Sequence, residues 1–540
     1  MRFLTLGEFF MRKSDTLNLP VYSAEIAADN FFYDFGKHAF AVLEVEVESP
    51  VAQDITLAVG EVLANDHIDR DPGYSRVYQE EVINLPAGRS YVKMTMTHPG
   101  YGKGTLPIEP NVAPFRYAEV RGKVKVLQIF QHAYFGYFED DASDFKSSSP
   151  ALDKIWEFCK YTMKATTPFG IFIDGDRERQ AYEGDAYITQ LGYFVCTSDK
   201  EMASATIDRL FEFPTWPTEY FLAMIPIVHD YMLYTGDLET PHKWYSSLQQ
   251  HLLLEGVNSD NLLETALLPA FVLPGFSNVS IRDIVDWPQC ERDGYEFAEV
   301  NLVPNCWQYM ALDRMSRIAD LLNKTQDAAN YRTLAERLRS AIRKTMLKNG
   351  LFVDNPASEH TALHSCIYPL LWHIAEDSEK AQIFELIKSK GMACSVFGAQ
   401  FLLECCYTYG EADYALSLML STGKRSWNNM LACGATIAME AWDNEFKPNQ
   451  DWNHPWGAAP GNIIVRFLAG IRPLEPGFKK FTVDPQPATL EHFKVKTPTP
   501  HGAIELEMTQ PNRYILTVPQ GTCALCNGQE FPAGIHTFEK

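Results

Sequence analysis

Positive charge is what this chain has least of. Its 540 residues carry 47 lysines and arginines against 69 aspartates and glutamates, a formal net charge of −22. That balance argues against nucleic acid or an anionic membrane surface as the main partner and fits an uncharged substrate. No apolar run reaches the length of a membrane span. The eleven cysteines follow no disulfide framework. Cys405 and Cys406 are adjacent, and the only CxxC, Cys523 to Cys526, falls in a strand-and-turn region. Two ordinary thiols fit it better than a redox or zinc pair, and the set reads as reduced cysteine of a non-oxidising compartment. P-loop, GxGxxG and GxSxG patterns are all missing, so no phosphate cradle, dinucleotide fold or serine elbow is indicated. The opening MRFLTLGEFFMRKSD has an early arginine, but Glu8 interrupts its apolar run and no small-residue cleavage site follows. The chain as given reads as cytoplasmic; a leader removed beforehand would make it periplasmic or secreted.

The chain is too long for one core and suggests roughly two to four domains. Residues 1–148 show period-two alternation. Leu43, Val45 and Val47 alternate with Glu44, Glu46 and Glu48, and YVKMTMTH and KVKVLQIF repeat the pattern between turns such as DRDPG and HPGYGKG. This predicts a half-buried antiparallel sheet, read as an N-terminal β-sandwich. Residues 149–468 change to helical spacing, as in Leu312, Met315, Ile318 and Leu322, then Leu334, Leu338, Ala341 and Ile342. Roughly ten to twelve helices fit there, as a toroid of paired helices or a less regular bundle. All ten tryptophans lie in this part, which suggests that some contact ligand. Residues 469–540 return to alternation (FTVDP, HFKVKT, AIELEM, RYILTV) and predict a small C-terminal β-sandwich. The class is multidomain α+β, in the order β, α, β.

The segment Asp174 to Asp185, DGDRERQAYEGD, packs five carboxylates, two arginines and a tyrosine between the apolar runs TPFGIFI and AYITQLGYFV. A pocket that binds a polyhydroxylated ligand and protonates part of it needs this mixture: hydroxyl acceptors, a proton donor, cations and an aromatic wall. A charged surface turn is the plain alternative. If the chain is helical from Arg179 on, Glu178, Tyr182 and Asp185 share one face. A second segment, ATIAMEAWDNEFKPNQDWNHPWGAAP, sets Glu440 after the apolar Ile437, Ala438 and Met439, with Trp442, Asn453, His454 and Trp456 following. Two carboxylate centres beside aromatics suggest glycoside hydrolysis by paired carboxylates; capping or pairing inside a helical bundle is the plain reading of Glu440. Asp286-Trp287 has the form of a sugar-binding pair and also of a common loop, and Trp216 with Glu219 is similar. His360 and His364 stand four apart, as zinc ligands can, but lack the inner glutamate of HExxH, so a core or helix-face role fits better. No cofactor and no metal is called for.

At these residues the chain resembles the bacterial α-L-rhamnosidases of glycoside hydrolase family 78. Asp174-Gly-Asp-Arg-Glu178-Arg179 with Tyr182, Gly184 and Asp185 resembles the family's acid-loop segment. Gly434 to Asp443 resembles the segment with the second carboxylate, and Asn453-His454 with Trp456-Gly457-Ala458 the following histidine turn. Tyr182 stands where the family most often has tryptophan, and Gly-Asp-Arg replaces a common Cys-Pro-Gln stretch. The resemblance implies an (α/α)6 toroid catalytic domain between β-sandwiches and an inverting, exo-acting enzyme that removes terminal α-L-rhamnose from oligosaccharides or glycosides. It makes Glu178 the general acid and Glu440 the general base. Asp174, Arg177, Asp185 and His454 would bind sugar hydroxyls, Asp286 would be a further contact, and Tyr182, Trp287 and Trp442 would wall the pocket. Read without the resemblance, the two roles reverse: Glu440 in its apolar run resembles the protonated acid, and Glu178 between arginines the ionised group. Another sugar, a uronate substrate, or a non-catalytic carbohydrate-binding protein are the alternatives.

Overall fold

A computed structural model describes residues 14–73, 75–98, 110–270 and 280–540. The opening residues 1–13, weighed above as a leader, and the part of the HPGYGKG turn from residue 99 on lie outside them. Packing divides the chain into two compact units. The first joins residues 1–138 to two later segments, 161–180 and 430–455; the second holds 139–160, 181–429 and 456–540.

The first unit is built on an eight-stranded sheet. Its path runs Ser14–Asn18, Lys125–Phe135, Asn30–Ser49, Ala113–Arg121, Gln53–Gly60, Tyr78–Leu85, with Tyr22–Ala27 and Gly88–Lys93 also paired to Asn30–Ser49. Every pairing in it is antiparallel. The alternation read from LEVEVE holds for Leu43, Val45 and Val47, which are buried in the core with Phe40, Leu57, Phe115 and Val120. Glu44 breaks it by being buried too. Lys93 reaches it at 2.6 Å and His132 at 2.8 Å, so the charge is paired where it enters the interior.

The second unit carries the helices. Leu302–Leu321 and Thr325–Met346 contain the two apolar stripes named above. Six helices pack in a cycle: Glu183–Cys196, Thr218–Thr235, Leu302–Leu321, Leu363–Leu371, Val396–Thr408 and Ala459–Ile463, the last returning to the first. Glu183–Cys196 is buried at every residue, as expected of a helix covered on all sides. Thr325–Met346 and Asp377–Lys390 bury one stripe only, against Leu302–Leu321 and Leu363–Leu371. A seven-stranded sheet closes this unit, in the order Asp144–Ser147, Phe493–Thr497, Ile504–Gln510, Arg513–Cys526, Lys480–Val483, Ile471–Pro473, with Gln529–Glu539 also on Arg513–Cys526. Cys523 and Cys526 both lie on Arg513–Cys526. Three positions apart on a strand, they point to opposite faces and form no CxxC pair. Trp156, Trp307, Trp427 and Trp442 are among the largest fully buried side chains, so much of the confined tryptophan is core. Among the described residues no helix is long and apolar enough to cross a membrane.

Candidate active site

The segments 161–180 and 430–455, which carry Glu178 and Glu440, both belong to the sheet's unit. The first is fixed to the sheet before it reaches its charges. The Gly136 N–H donates to Thr167 Oγ1 at 2.8 Å, and Phe169 packs edge-on against Phe40. It is not helical from Arg179 on: Arg179 has φ 48°, and the helix starts at Glu183. The physical reason is tertiary. The buried Arg179 guanidinium donates to the Val112 carbonyl at 2.7 Å and to Asp176 at 2.6 Å, which turns the chain. Asp174 closes the same turn, with its N–H on the Gln180 carbonyl at 2.8 Å and its Oδ1 accepting the Gln180 N–H at 2.9 Å.

Arg177 takes the opposite direction. Its guanidinium lies 3.3 Å from Glu178 Oε1 and donates to Glu440 Oε2 at 3.2 Å and Oε1 at 3.4 Å. Legs of 3.3 Å and 3.4 Å meeting on one nitrogen keep the nearest carboxylate oxygens within about 7 Å of each other. The two carboxylates thus share one cation. They differ in surroundings: the Glu178 side chain is 29% exposed, that of Glu440 3%.

Glu440 is held from every side. Its N–H donates to the Asp451 carbonyl at 3.0 Å, the Asp451 N–H returns a bond to Oε2 at 3.1 Å, and Lys447 Nζ stands 2.8 Å from Oε1. Burial alone would raise its pKa, but His454, Arg177 and Lys447 outweigh burial and hold the carboxyl well below the usual range. The raised pKa expected from the apolar run is therefore corrected: the Glu440 carboxyl is held ionised. Asp451, fully buried, faces His454 Nδ1 at 4.0 Å, and burial, with Glu440 beside it, pushes its pKa up. Its carboxylate fills the space over Gly175, where a Cβ would come within 2.6 Å of Oδ2; this is why glycine follows Asp174. Ligand atoms of Glu440, Asp451 and His454 lie within 4.8 Å of one another, a set that a divalent cation takes. With Lys447 and Arg177 already on Glu440, such an ion would have to displace one of them.

Removing the Lys447 charge gives a direct check. Lys447→Met should raise the Glu440 pKa. In the role of base that the resemblance gives it, Glu440 must be ionised to act, so activity would be lost as pH falls through its pKa. The acid limb of kcat/KM should then begin at higher pH, by about one unit. An unmoved acid limb would mean that Glu440 is not the group titrating there.

The other residues named from the sequence divide between the units. Trp442, fully buried, and His454 lie in the first. In the second, Tyr182 is half-buried in extended conformation just before Glu183–Cys196, and Asp185 sits in that helix's first turn. Gly184 between them packs on the Tyr220 ring, which any Cβ would enter. Asp286 is fully buried and already bonded: its oxygens accept from Trp287 N–H at 2.8 Å, His364 Nε2 at 2.7 Å, Ser395 N–H at 2.9 Å and Ser395 Oγ. That leaves it an anchor for the half-buried Trp287. Glu219 supports the same turn, accepting the N–H groups of Ile284 at 3.1 Å and Val285 at 2.8 Å, and Trp216 stacks under Arg282. His360 pairs with Asp354 and His364 with Asp286, so the two histidines hold different aspartates.

Sequence reasoning missed Lys447, Asp451 and Glu61. Glu61 follows the apolar run Leu57, Ala58, Val59 at a strand end, the same signal that singled out Glu440. Lys447 and Asp451 lie in an irregular turn with no periodicity to mark them.

Comparison with known proteins decides the family. The bacterial α-L-rhamnosidase six-hairpin glycosidase domain matches residues 140–468, and the bacterial α-L-rhamnosidase C-terminal domain matches 470–525. The chain belongs to the bacterial α-L-rhamnosidases of glycoside hydrolase family 78. Among this family's proteins, the α-L-rhamnosidase of Alteromonas sp. (strain LOR) is 21% identical over 545 residues, covering 92% of this chain. The chain spans 55% of that relative's length. The structure of the α-L-rhamnosidase from Dictyoglumus thermophilum is similar over 97% of this chain and 62% of its own, with TM-score 0.79 and 16% identity. The Streptomyces avermitilis α-L-rhamnosidase complexed with L-rhamnose gives 0.78 at 16% identity, over 97% of this chain and 53% of its own. At those identities the likeness is one of fold.

Proposed function

We propose that the chain is an inverting, exo-acting α-L-rhamnosidase that hydrolyses terminal α-L-rhamnosyl residues of oligosaccharides or glycosides. One observation carries the reading: two motif carboxylates 262 positions apart in sequence meet on one guanidinium, and the buried one, Glu440, is held ionised by the cations around it. Glu440, anionic among cations, takes the proton of the attacking water. Glu178, the more exposed of the pair, protonates the departing oxygen and is re-protonated from solvent. Arg177, in contact with both side chains, fixes where they stand relative to each other.

Asp174, Asp185 and His454 keep the hydroxyl-binding roles that the family resemblance gives them, and Tyr182 and Trp287 those of apolar walls; Trp442, given the same role by the resemblance, is fully buried and has no face open to a sugar. The helical region is proposed as an (α/α)6 toroid, which the cycle of six helices and their outer partners supports. The sheets before and after it are proposed as β-sandwich domains of residues 1–148 and 469–540 around a catalytic domain of 149–468.

Proton NMR during turnover of a nitrophenyl α-L-rhamnoside tests the stereochemistry: β-L-rhamnose should be the first product. First release of the α-anomer would sink inversion. Turnover of other nitrophenyl glycosides with none of the rhamnoside would move the substrate to another sugar.

A further inference from the structure

The unit that carries Glu178 and Glu440 is also the unit of the N-terminal sheet, and the sheet's contacts fall on both of their segments. Glu61 follows strand Gln53–Gly60 and is 1% exposed. Its Oε2 accepts the Val77 N–H at 2.7 Å, and its Oε1 accepts from Asn453 Nδ2 at 3.1 Å. The other end of the Asn453 amide, Oδ1, accepts the Asp176 N–H at 2.7 Å, one residue before Arg177. One amide thus ties a sheet carboxyl to the acid loop, and it stands between Asp451, which grips Glu440, and His454.

A second tie runs through the same residue. The Glu61 carbonyl meets His38 Nε2 at 2.8 Å, while His38 Nδ1 and N–H lie 2.8 Å and 2.7 Å from Thr436 Oγ1, four positions before Glu440. Burial lowers the His38 pKa to about 4, so the ring is neutral. Nε2–H then donates to Glu61, and Nδ1 accepts the threonine hydroxyl. Ser75 and Arg76 hold the intervening turn by the carbonyls of Asn449, at 2.5 Å, and Pro448, at 3.2 Å.

We propose that Glu61 is a positioning residue for catalysis, holding the segments of Glu178 and Glu440 in register through Asn453. It touches no reacting atom, and its role rests on the reading of those two glutamates as acid and base. The charged groups that face it are Asp176 and Asp451, both acidic, and the cation Arg76. Burial, with Asp176 and Asp451 adding to it, pushes the Glu61 carboxyl up to about 8 against the pull of the Val77 and Asn453 bonds. The group is neutral at neutral pH; above about 8 it ionises, which strengthens the bond from Asn453 but sets an unwelcome buried charge against Asp176 in the acid loop and against Asp451, and the upward shift means that burial and repulsion win.

The sign for stability follows. The folded pKa lies above the unfolded one, so this stabilisation is complete below the unfolded value and is lost as pH rises through about 8. Glutamine, neutral at every pH and of the same shape, keeps one of the two accepted bonds and removes the ionisation, and with it both pH effects. Wild type, Glu61→Gln and Glu61→Ala should be compared from about pH 5 to about pH 9, by kcat and KM on a nitrophenyl α-L-rhamnoside and by thermal midpoint. At low pH Glu61→Gln should keep kcat within about two-fold, and Glu61→Ala should lose about ten-fold in kcat with KM little changed. The ratio of kcat/KM for Glu61→Gln to wild type should climb above about pH 8, and its thermal midpoint should fall less with pH than the wild type's. A ratio flat across the range, or wild-type kcat in Glu61→Ala, would overturn the proposal. Should Glu61→Ala fail to fold, the Glu61→Gln ratio decides. A Glu440→Gln enzyme as active as wild type would instead remove the catalytic reading, and the thermal comparison would still decide the hold.

Discussion

Glutamine in place of Glu440 should lower kcat on a nitrophenyl α-L-rhamnoside about a thousand-fold and leave KM within a few-fold. The substitution keeps the shape of the side chain and the acceptor for the Asp451 N–H, which lies 3.1 Å from Oε2. What it removes is the charge that pairs with Lys447 at 2.8 Å and Arg177 at 3.2 Å and that, in the proposed mechanism, takes the water's proton. A stability loss must accompany it, because two cations are left beside a neutral amide in the interior; breaking a buried pair costs about 3–5 kcal/mol. Chemical and structural losses are separated by Glu440→Ala with added azide. Azide needs no base, so it can attack the anomeric carbon from the vacated face while Glu178 protonates the leaving oxygen. The expected product is the rhamnosyl azide of inverted configuration. Glu440→Gln keeping more than about a tenth of wild-type kcat would remove Glu440 from the chemistry.

The fold was legible wherever a local pattern is also what the core demands. Alternation at Leu43, Val45 and Val47 marked a strand because these side chains are the core, and the stripe Leu312, Met315, Ile318 marked Leu302–Leu321 for the same reason. Local pattern failed where a distant group decided the outcome. Glu44 breaks the alternation because Lys93 and His132 come to it from neighbouring strands. Arg179 breaks a helical reading because the Val112 carbonyl, from the sheet, takes its guanidinium. The site behaves alike. The acid-aromatic form of Asp286-Trp287 is plain in sequence, but His364 and Ser395, which occupy the Asp286 oxygens, are remote from it along the chain. The apolar run before Glu440 correctly announced desolvation, the largest influence on its pKa. It carried no sign of Arg177, Lys447 and His454, whose combined charge reverses the shift. Burial of an acid can be read from neighbours in sequence; its counter-charges come from neighbours in space.

The roles of the two glutamates can be told apart by the leaving group. Glu178→Gln should lose about a thousand-fold in kcat on an alkyl α-L-rhamnoside, whose alkoxide cannot leave without a proton. On a dinitrophenyl rhamnoside, whose phenolate leaves unaided, the same variant should lose less than about thirty-fold. Glu440→Gln should be damaged on both, since water activation does not depend on the aglycone. The surroundings give the reason for this direction. An acid must recover its proton from solvent after each turnover, and the Glu178 side chain is 29% exposed where that of Glu440 is 3%. A base must be ionised beforehand, and the cations on Glu440 ensure it. Arg177 touches both side chains, so its loss should not mimic either pattern: Arg177→Met should impair both substrates, because it releases both from the shared guanidinium and misplaces both. If Glu178→Gln is equally impaired on the alkyl and the dinitrophenyl substrate while Glu440→Gln shows the leaving-group dependence, the acid and base assignments exchange, and the ionised state of Glu440 in the free protein must change when substrate binds.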